Sequence, residues 1–201
     1  VAVSDVDAGD TVAYTLTGGA DQALFAIDAG TGALAFQSAP DFEAPADADL
    51  DGIYEVEVTA TDSGALTDSQ TLSVTVADGN EAPVITSDGG GVTASVNASE
   101  NQTSVTTVAA SDVDAGDTVA YAVTSGADQA LFTIDAGTGA LAFQSAPDFE
   151  TPADADLDGV YEVEVTATDS GALTENQALS VTVTDGNEAP VITSDGGGVT
   201  A

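Results

Sequence analysis

The side chains able to do chemistry in this sequence are almost all carboxylates, and they fall into short runs at fixed spacing. One run is Asp112-Val113-Asp114-Ala115-Gly116-Asp117, with an earlier copy from Asp5 to Asp10. A second is Asp148-Phe149-Glu150, copied at Asp41-Phe42-Glu43. A third is Asp154-Ala155-Asp156-Leu157-Asp158-Gly159, copied from Asp47 through Asp49 and Asp51 to Gly52. The fourth, Asp78-Gly79-Asn80-Glu81-Ala82-Pro83, returns unchanged as Asp185-Gly186-Asn187-Glu188-Ala189-Pro190. Single acids add to these: Glu100 in Ser99-Glu100-Asn101, and Asp169 in Ala167-Thr168-Asp169, whose earlier copy is Asp62.

The chain has 201 residues and 35 Asp plus Glu but no Lys, Arg or His, for a formal charge of -35. Two carboxylates about 4 Å apart repel by roughly 4 kcal/mol at an effective dielectric near 20. Where several converge and no cationic side chain is at hand, a multivalent cation is the expected remedy, and salt screens the rest. Hard oxygen donors at alternate positions suit Ca²⁺, which accepts six to eight oxygens in flexible geometry, whereas Mg²⁺ keeps waters and a stricter octahedron. The run Asp47-x-Asp49-x-Asp51-Gly52 opens like an EF-hand loop. Its twelfth position is Val58 instead of Glu, and no helical pattern flanks it. Asp47, Asp49 and Asp51, with Asp154, Asp156 and Asp158, therefore stay candidates for a loop-type calcium site, the alternative being a solvated acidic turn.

The same composition excludes several classes of function. With no basic side chain there is nothing to neutralise phosphates, so nucleic acid is not an expected partner. Attraction to an anionic membrane surface fails for the same reason, and no apolar run approaches the roughly 20 residues of a spanning helix. No Cys means no disulfide and no thiolate site, which fits an extracellular protein stabilised by other means. Paired carboxylates can cleave glycosides, but that chemistry needs a pocket that raises one pKa. With no Trp, and Tyr residues placed on strand-like segments, the sequence does not read as an enzyme. It shows no leader, begins with Val inside a strand-like segment, and so reads as a piece of a longer chain.

The elements that must position these acids are strands arranged in a repeat. Asp78 recurs as Asp185, a period of 107 residues, and residues 1–80 align on 108–187 with 11 differences. Residues 81–94 recur without change as 188–201. The expected organisation is a repeat truncated at its N-terminus (1–80), a complete repeat (81–187) and the first strand of a third (188–201). A period of this length matches a whole sandwich domain of about 100 residues. Within the complete copy, 83–86 reads as a first strand, Gly89–Gly91 as a break, and 92–96 as its continuation on another edge. Residues 103–110 and 118–123 read as further strands, and 131–134 with 140–143 as a hairpin around Asp135-Ala136-Gly137-Thr138-Gly139. Tyr161, Val163, Val165 and Ala167 alternate with Glu162, Glu164 and Thr166, so the first set faces a core that Leu179, Val181 and Val183 share. No convincing helical pattern appears. The fold class expected is all-β, tandem Greek-key sandwiches of about seven strands per repeat.

Taken together and in order, Ser99-Glu100-Asn101, Asp112-x-Asp114, Asp148-Phe149-Glu150, Ala167-Thr168-Asp169 and Asp185-Gly186-Asn187-Glu188-Ala189-Pro190 resemble the calcium motifs of cadherin repeats. More closely, the whole period is similar to the cadherin-like tandem repeats in the extender regions of large bacterial surface adhesins of the RTX and biofilm type. The resemblance implies a cadherin-like sandwich with Ca²⁺ bound between consecutive domains. One junction would draw on Asp41, Glu43, Asp78, Asn80, Glu81, Asp112, Asp114 and Asp169. Glu100, Asp148, Glu150, Asp185, Asn187 and Glu188 would form half of the following junction, and Asp5, Asp7 and Asp62 part of the preceding one. Glu81 stands where the family has Asp, and Ala82 where it has Asn. The implied function is a calcium-dependent structural extender of an extracellular adhesin, whose partners are neighbouring repeats of the same chain. The alternative is a subunit of a self-assembling filament or surface layer, associating laterally or head to tail, with strand exchange between copies.

Overall fold

The computed structural model describes residues 1–7 and 9–191. They form two compact units, Val1–Gly79 and a second beginning at Asn80. The expected further strand in 188–201 lies, from residue 192 on, outside the described residues.

In the first unit, strands β1 (Ala13–Gly18), β4 (Ile53–Thr61) and β5 (Thr67–Thr75) form one antiparallel sheet with β4 in the centre. Strands β2 (Phe25–Ile27) and β3 (Leu34–Phe36) pair as a hairpin. The hairpin turn is tied by Asp28, whose Oδ1 accepts from the Gly30 and Thr31 N–H groups and the Thr31 hydroxyl.

The second unit holds the complete sandwich. Its strands are β6 (Val84–Ile85), β7 (Thr93–Ser99), β8 (Ser104–Thr107), β9 (Ala110–Ser111), β10 (Ala120–Ser125), β11 (Phe132–Ile134), β12 (Ala140–Phe143), β13 (Val160–Thr168) and β14 (Thr174–Thr184). One sheet has the order β10-β13-β14-β7, with β7 parallel to β14; β11-β12-β8 and β6-β9 make up the rest. Since β6 and β7 are two pieces of one strand, and β8 and β9 pieces of another, the architecture is the expected seven-stranded sandwich. The first strand changes partners at Asp88–Gly91, where four successive residues have positive φ. Three of the four are glycines, which enter that region without the Cβ clash other residues meet.

The alternation in 161–167 places the core as expected: Tyr161, Val163, Val165 and Ala167 are buried against Leu179, Val181 and Val183. Phe132 stacks on Phe143 at 4.6 Å between centroids, and Tyr161 meets Phe143 edge-on at 5.1 Å. Such pairs add about 0.5–1.5 kcal/mol beyond the area they bury. The Tyr161 hydroxyl accepts from the Ala153 N–H at 3.1 Å. Three local features depart from the sequence reading. Leu131 ends a single 3-10 turn, Gln129–Leu131, and does not open the strand. The third expected strand is interrupted between β8 and β9. Thr166, on the outward row of β13, is buried beneath Thr124, their hydroxyls 2.7 Å apart.

Candidate metal centre

β13 and β14 are antiparallel, with Val160 opposite Thr182 and Thr168 opposite Thr174. Acids that follow Thr168 and acids that follow Thr184 therefore lie at opposite ends of the second unit, separated by a nine-residue strand, about 30 Å at 3.3 Å per residue.

At the first end, carboxylate oxygens of Asp112, Asp114 and Asp117 lie within 4.8 Å of one another. The turn that gathers them is stitched by its own backbone: the Asp114 N–H donates to Asp112 Oδ1 at 3.0 Å, and the Asp117 N–H to the Asp114 carbonyl at 3.2 Å. Each acid keeps one oxygen occupied. Asp114 Oδ2 accepts from the Glu81 N–H at 2.9 Å, and Asp117 Oδ1 from the Ser170 hydroxyl at 2.5 Å. The other oxygens, Asp112 Oδ2, Asp114 Oδ1 and Asp117 Oδ2, are buried and have no hydrogen-bond partner. Beside them Asp169 is buried, accepting from the Asn80 amide at 2.8 Å and from the Leu173 N–H at 2.8 Å. A Cβ on Gly171 would stand 2.1 Å from Asn80 Oδ1, so only glycine lets the amide reach Asp169.

Three buried, unpartnered carboxylate oxygens that converge are an arrangement that a protein cannot satisfy from within when it has no cationic side chain. An all-oxygen, multiply anionic donor set of this kind fits a hard divalent cation, and calcium in particular. Of the residues expected at this junction, Asn80, Glu81, Asp112, Asp114 and Asp169 are thus brought together in the second unit. Asp117 joins them and is an addition. It closes the same acidic run, so its spacing was visible, but nothing in the sequence showed its side chain turning inward.

At the other end, oxygens of Glu100, Glu150, Asp185 and Glu188 lie within 4.8 Å of one another. Glu100 is buried and accepts from the Phe149 N–H at 3.0 Å and from the Gly186 N–H. These two bonds hold its carboxyl below the usual glutamate range. Glu188 is pushed up by desolvation and then by the Glu100 side chain and the charges of Glu150 and Asp185. For Glu150 its own backbone N–H works downward, but desolvation and the Glu100, Asp185 and Asp148 charges prevail and raise it. Asn101, at positive φ, donates from its amide to Glu188 at 3.1 Å. Asp148 gives an oxygen to the Thr151 N–H, and Asn187 makes only a 3.5 Å contact to the Glu188 carbonyl.

The first unit carries counterparts of some of these acids. Asp5, Asp7 and Asp10 lie within 4.8 Å of one another but are exposed, and Asp62, which accepts from the Leu66 N–H, lines a hollow with Asp5. Asp41 accepts from the Glu43 N–H, while desolvation and the Asp78 and Asp41 carboxylates raise Glu43. Asp47, Asp49 and Asp51 also form a three-carboxylate group. This loop and its counterpart are both built inward: Asp47 and Asp154 are buried and accept from the Asp51 and Gly52, and the Asp158 and Gly159, N–H groups at 2.8 and 3.3 Å. Asp128, buried as well, holds the Ala155 and Glu162 N–H groups at 2.7 and 2.8 Å, tying this loop to β13. Nothing in the linear pattern marks Asp128, because its partners lie 27 and 34 residues away.

Residues 93–184 match the family model of the cadherin domain. The chain is 33% identical to mouse Protocadherin Fat 2 over 183 residues, 88% of this chain and 4% of that protein. It is 35% identical to human Cadherin EGF LAG seven-pass G-type receptor 2 over 188 residues, 91% of this chain and 6% of that one. It thus spans only a small part of these relatives. Among solved structures, mouse Cadherin-23 EC22-24 shares the fold with a TM-score of 0.52 at 23% identity, covering 87% of this chain and 53% of that one. The Protocadherin gammaB7 EC3-6 cis-dimer structure matches with a TM-score of 0.52 at 27% identity, covering 92% of this chain and 46% of that one. Residues 93–184 of this chain are a cadherin domain, and residues 1–80 repeat its sequence at the 107-residue offset.

Proposed function

We propose that the chain is a calcium-dependent, non-catalytic structural extender acting outside the cell, in which bound calcium fixes consecutive repeats in series. The observation that carries this reading is the set of three buried, unpartnered oxygens on Asp112, Asp114 and Asp117. The four-acid group at the far end of the same unit supports it, because a link in a series needs a ligand set at each end. Asn80, Glu81, Asp112, Asp114, Asp117 and Asp169 would hold one face of a junction, and Asp41, Glu43 and Asp78 the other. Glu100, Asp148, Glu150, Asp185, Asn187 and Glu188 would serve the next junction, and Asp5, Asp7 and Asp62 the preceding one. The loops with Asp47, Asp49 and Asp51 and with Asp154, Asp156 and Asp158 are proposed as lesser sites, since neighbouring carboxylates push Asp49 and Asp156 up.

When bound, calcium would supply positive charge where carboxylates otherwise repel. The chain's own residues do the positioning: backbone N–H groups aim one oxygen each of Asp112 and Asp114, the Ser170 hydroxyl aims one of Asp117, and the Asn80 amide braces Asp169. The near-identity of the two repeats is what one expects of a spacer, and a large bacterial surface adhesin is the setting proposed for it. The test is small-angle scattering and thermal melting of the chain with calcium and with chelator. The expected outcome is a lower Tm and a broader, shorter distance distribution on chelation; identical profiles in both conditions would sink the reading.

A further inference from the structure

We infer that each unit carries a preformed apolar hollow that seats one large apolar side chain of a basic partner protein, whose Lys or Arg residues face the carboxylates around it. In the second unit the hollow measures about 260 Å³, and its apolar lining comes from Leu131, Phe143, Ala146, Pro147 and Tyr161. Phe143 and Tyr161 are the buried aromatics that meet edge-on, so the hollow opens directly onto the core. Its wall is fixed by hydrogen bonds. The Gln144 N–H donates to the Leu131 carbonyl at 2.8 Å, and its side-chain amide to the Ala130 and Phe132 carbonyls at 3.0 and 3.1 Å. The Asn101 N–H donates to the Pro147 carbonyl at 2.9 Å.

The hollow belongs to the repeat itself. The first unit has its own, of about 250 Å³, and each residue that lines it has its counterpart, at the 107-residue offset, in the lining of the second. Gln37 repeats the bracing: its N–H donates to the Leu24 carbonyl at 2.8 Å, and its amide to the Ala23 and Phe25 carbonyls, both at 3.0 Å. No residue before Ala23 or after Tyr161 lines either hollow, so neither depends on a chain terminus. A cavity built the same way twice, with its wall hydrogen-bonded in place, has the preformed character of a binding site.

Charge identifies the occupant. Asp148 lines the hollow, with one oxygen on the Thr151 N–H. Ala153, also in the lining, leads directly into the loop in which Asp156 and Asp158 are exposed. Gln144 spends its amide N–H groups on carbonyls, which leaves its side-chain oxygen as a further acceptor. The first unit matches this with Asp41 in the lining and Asp49 and Asp51 exposed beyond Ala46. A second copy of this chain has no Lys, Arg or His to answer these carboxylates, and like charges brought together oppose docking. A basic segment fits both parts of the surface. Its apolar anchor fills the desolvated hollow, and its cationic side chains lay their stems on the apolar lining and their heads at the acids.

The inference goes beyond the calcium reading and does not rest on it, so binding is measured both in calcium and in chelator. The probe is a fluorescently labelled pentapeptide with leucine between two pairs of lysines, followed by anisotropy at 0.15 M salt, where the Debye length of about 8 Å leaves only near charges in play. Replacing its leucine by alanine should weaken binding at least about tenfold, and replacing its lysines by glutamine should abolish binding. Ala39→Trp combined with Ala146→Trp fills both hollows from exposed positions. That pair should erase the difference between the leucine and alanine peptides while Tm stays at the parent value. Equal binding of the leucine and alanine peptides to the parent chain would mark unspecific attraction to acidic surface and overturn the proposal. Full-strength binding of the glutamine peptide would overturn it too, as would self-association of the chain that the Trp pair abolishes, since a second copy would then be the occupant.

Discussion

Asp117 and Gly171 show how the candidate centre is made by residues that hold ligands as much as by the ligands. The Ser170 hydroxyl fixes one oxygen of Asp117 and leaves the other turned inward. Asp117→Asn removes a charge without removing that anchor. It should weaken calcium binding by at least about tenfold, the lower end of what altered ligand support costs a metal site, while the unit's melting in chelator stays close to the parent; calorimetric titration checks both. Gly171→Ala works at one remove, since its Cβ would displace Asn80 from Asp169. It should weaken calcium binding with no loss of any acid. The acids also set a pH dependence in chelator. Glu100, held low by the Phe149 and Gly186 N–H groups, contributes stability above its ordinary value near 4.5 and loses it as pH falls through its lower folded value. Glu150 and Glu188 are raised, so their ionised forms cost stability above their folded values, and that cost disappears as pH falls toward 4.5. Calcium-free Tm should therefore rise on acidification from neutral pH and fall again below about 4.5. A Tm that only declines across the whole range would show that the acids at this end do not repel one another as described.

At the level of strands, the closed core of the second unit sets the energetic scale. Leu179 is buried in β14, and Leu179→Ala should cost about 2–5 kcal/mol, the range for large-to-small changes in a closed core. Chemical denaturation of the second unit checks it. The same core marks what could be read from the sequence. The alternation from Tyr161 to Ala167 and the glycines at 89–91 carry their structure locally, as a period-two pattern and as a backbone that must enter positive φ. The succession of strands, the core and the exchange of partners by the first strand were legible for that reason; the order of strands within each sheet was not. Residues whose roles depend on distant partners were not. Asp128 holds N–H groups far along the chain, Thr166 is covered only because Thr124 faces it, and Gln177 is buried only where residues 87 to 91 cover it. The candidate centre was legible to the same extent: Asp112 and Asp114 follow from the acidic spacing, but the inward turn of Asp117 is set by Ser170, 53 residues away.

Over the molecule as a whole, a formal charge of -35 with no cationic side chain makes two kinds of rescue possible, and they differ in kind. Monovalent salt shortens the Debye length from about 10 Å at 0.1 M to 3 Å at 1 M and so weakens repulsion between exposed acids. It acts weakly on oxygens that are already buried, such as those of Asp112, Asp114 and Asp117. A bound divalent cation does the reverse, neutralising the converging acids and stabilising the folded state by mass action. In chelator, Tm should climb gradually with sodium chloride. Calcium at low millimolar concentration, a negligible change in ionic strength, should raise Tm further than any sodium chloride concentration up to 1 M. With calcium saturating, the remaining salt dependence should shrink to that of the exposed acids alone. If calcium raises Tm no more than sodium chloride of equal ionic strength, the carboxylate groups are screened surfaces and not binding sites, and the repeats hold their shape without a metal.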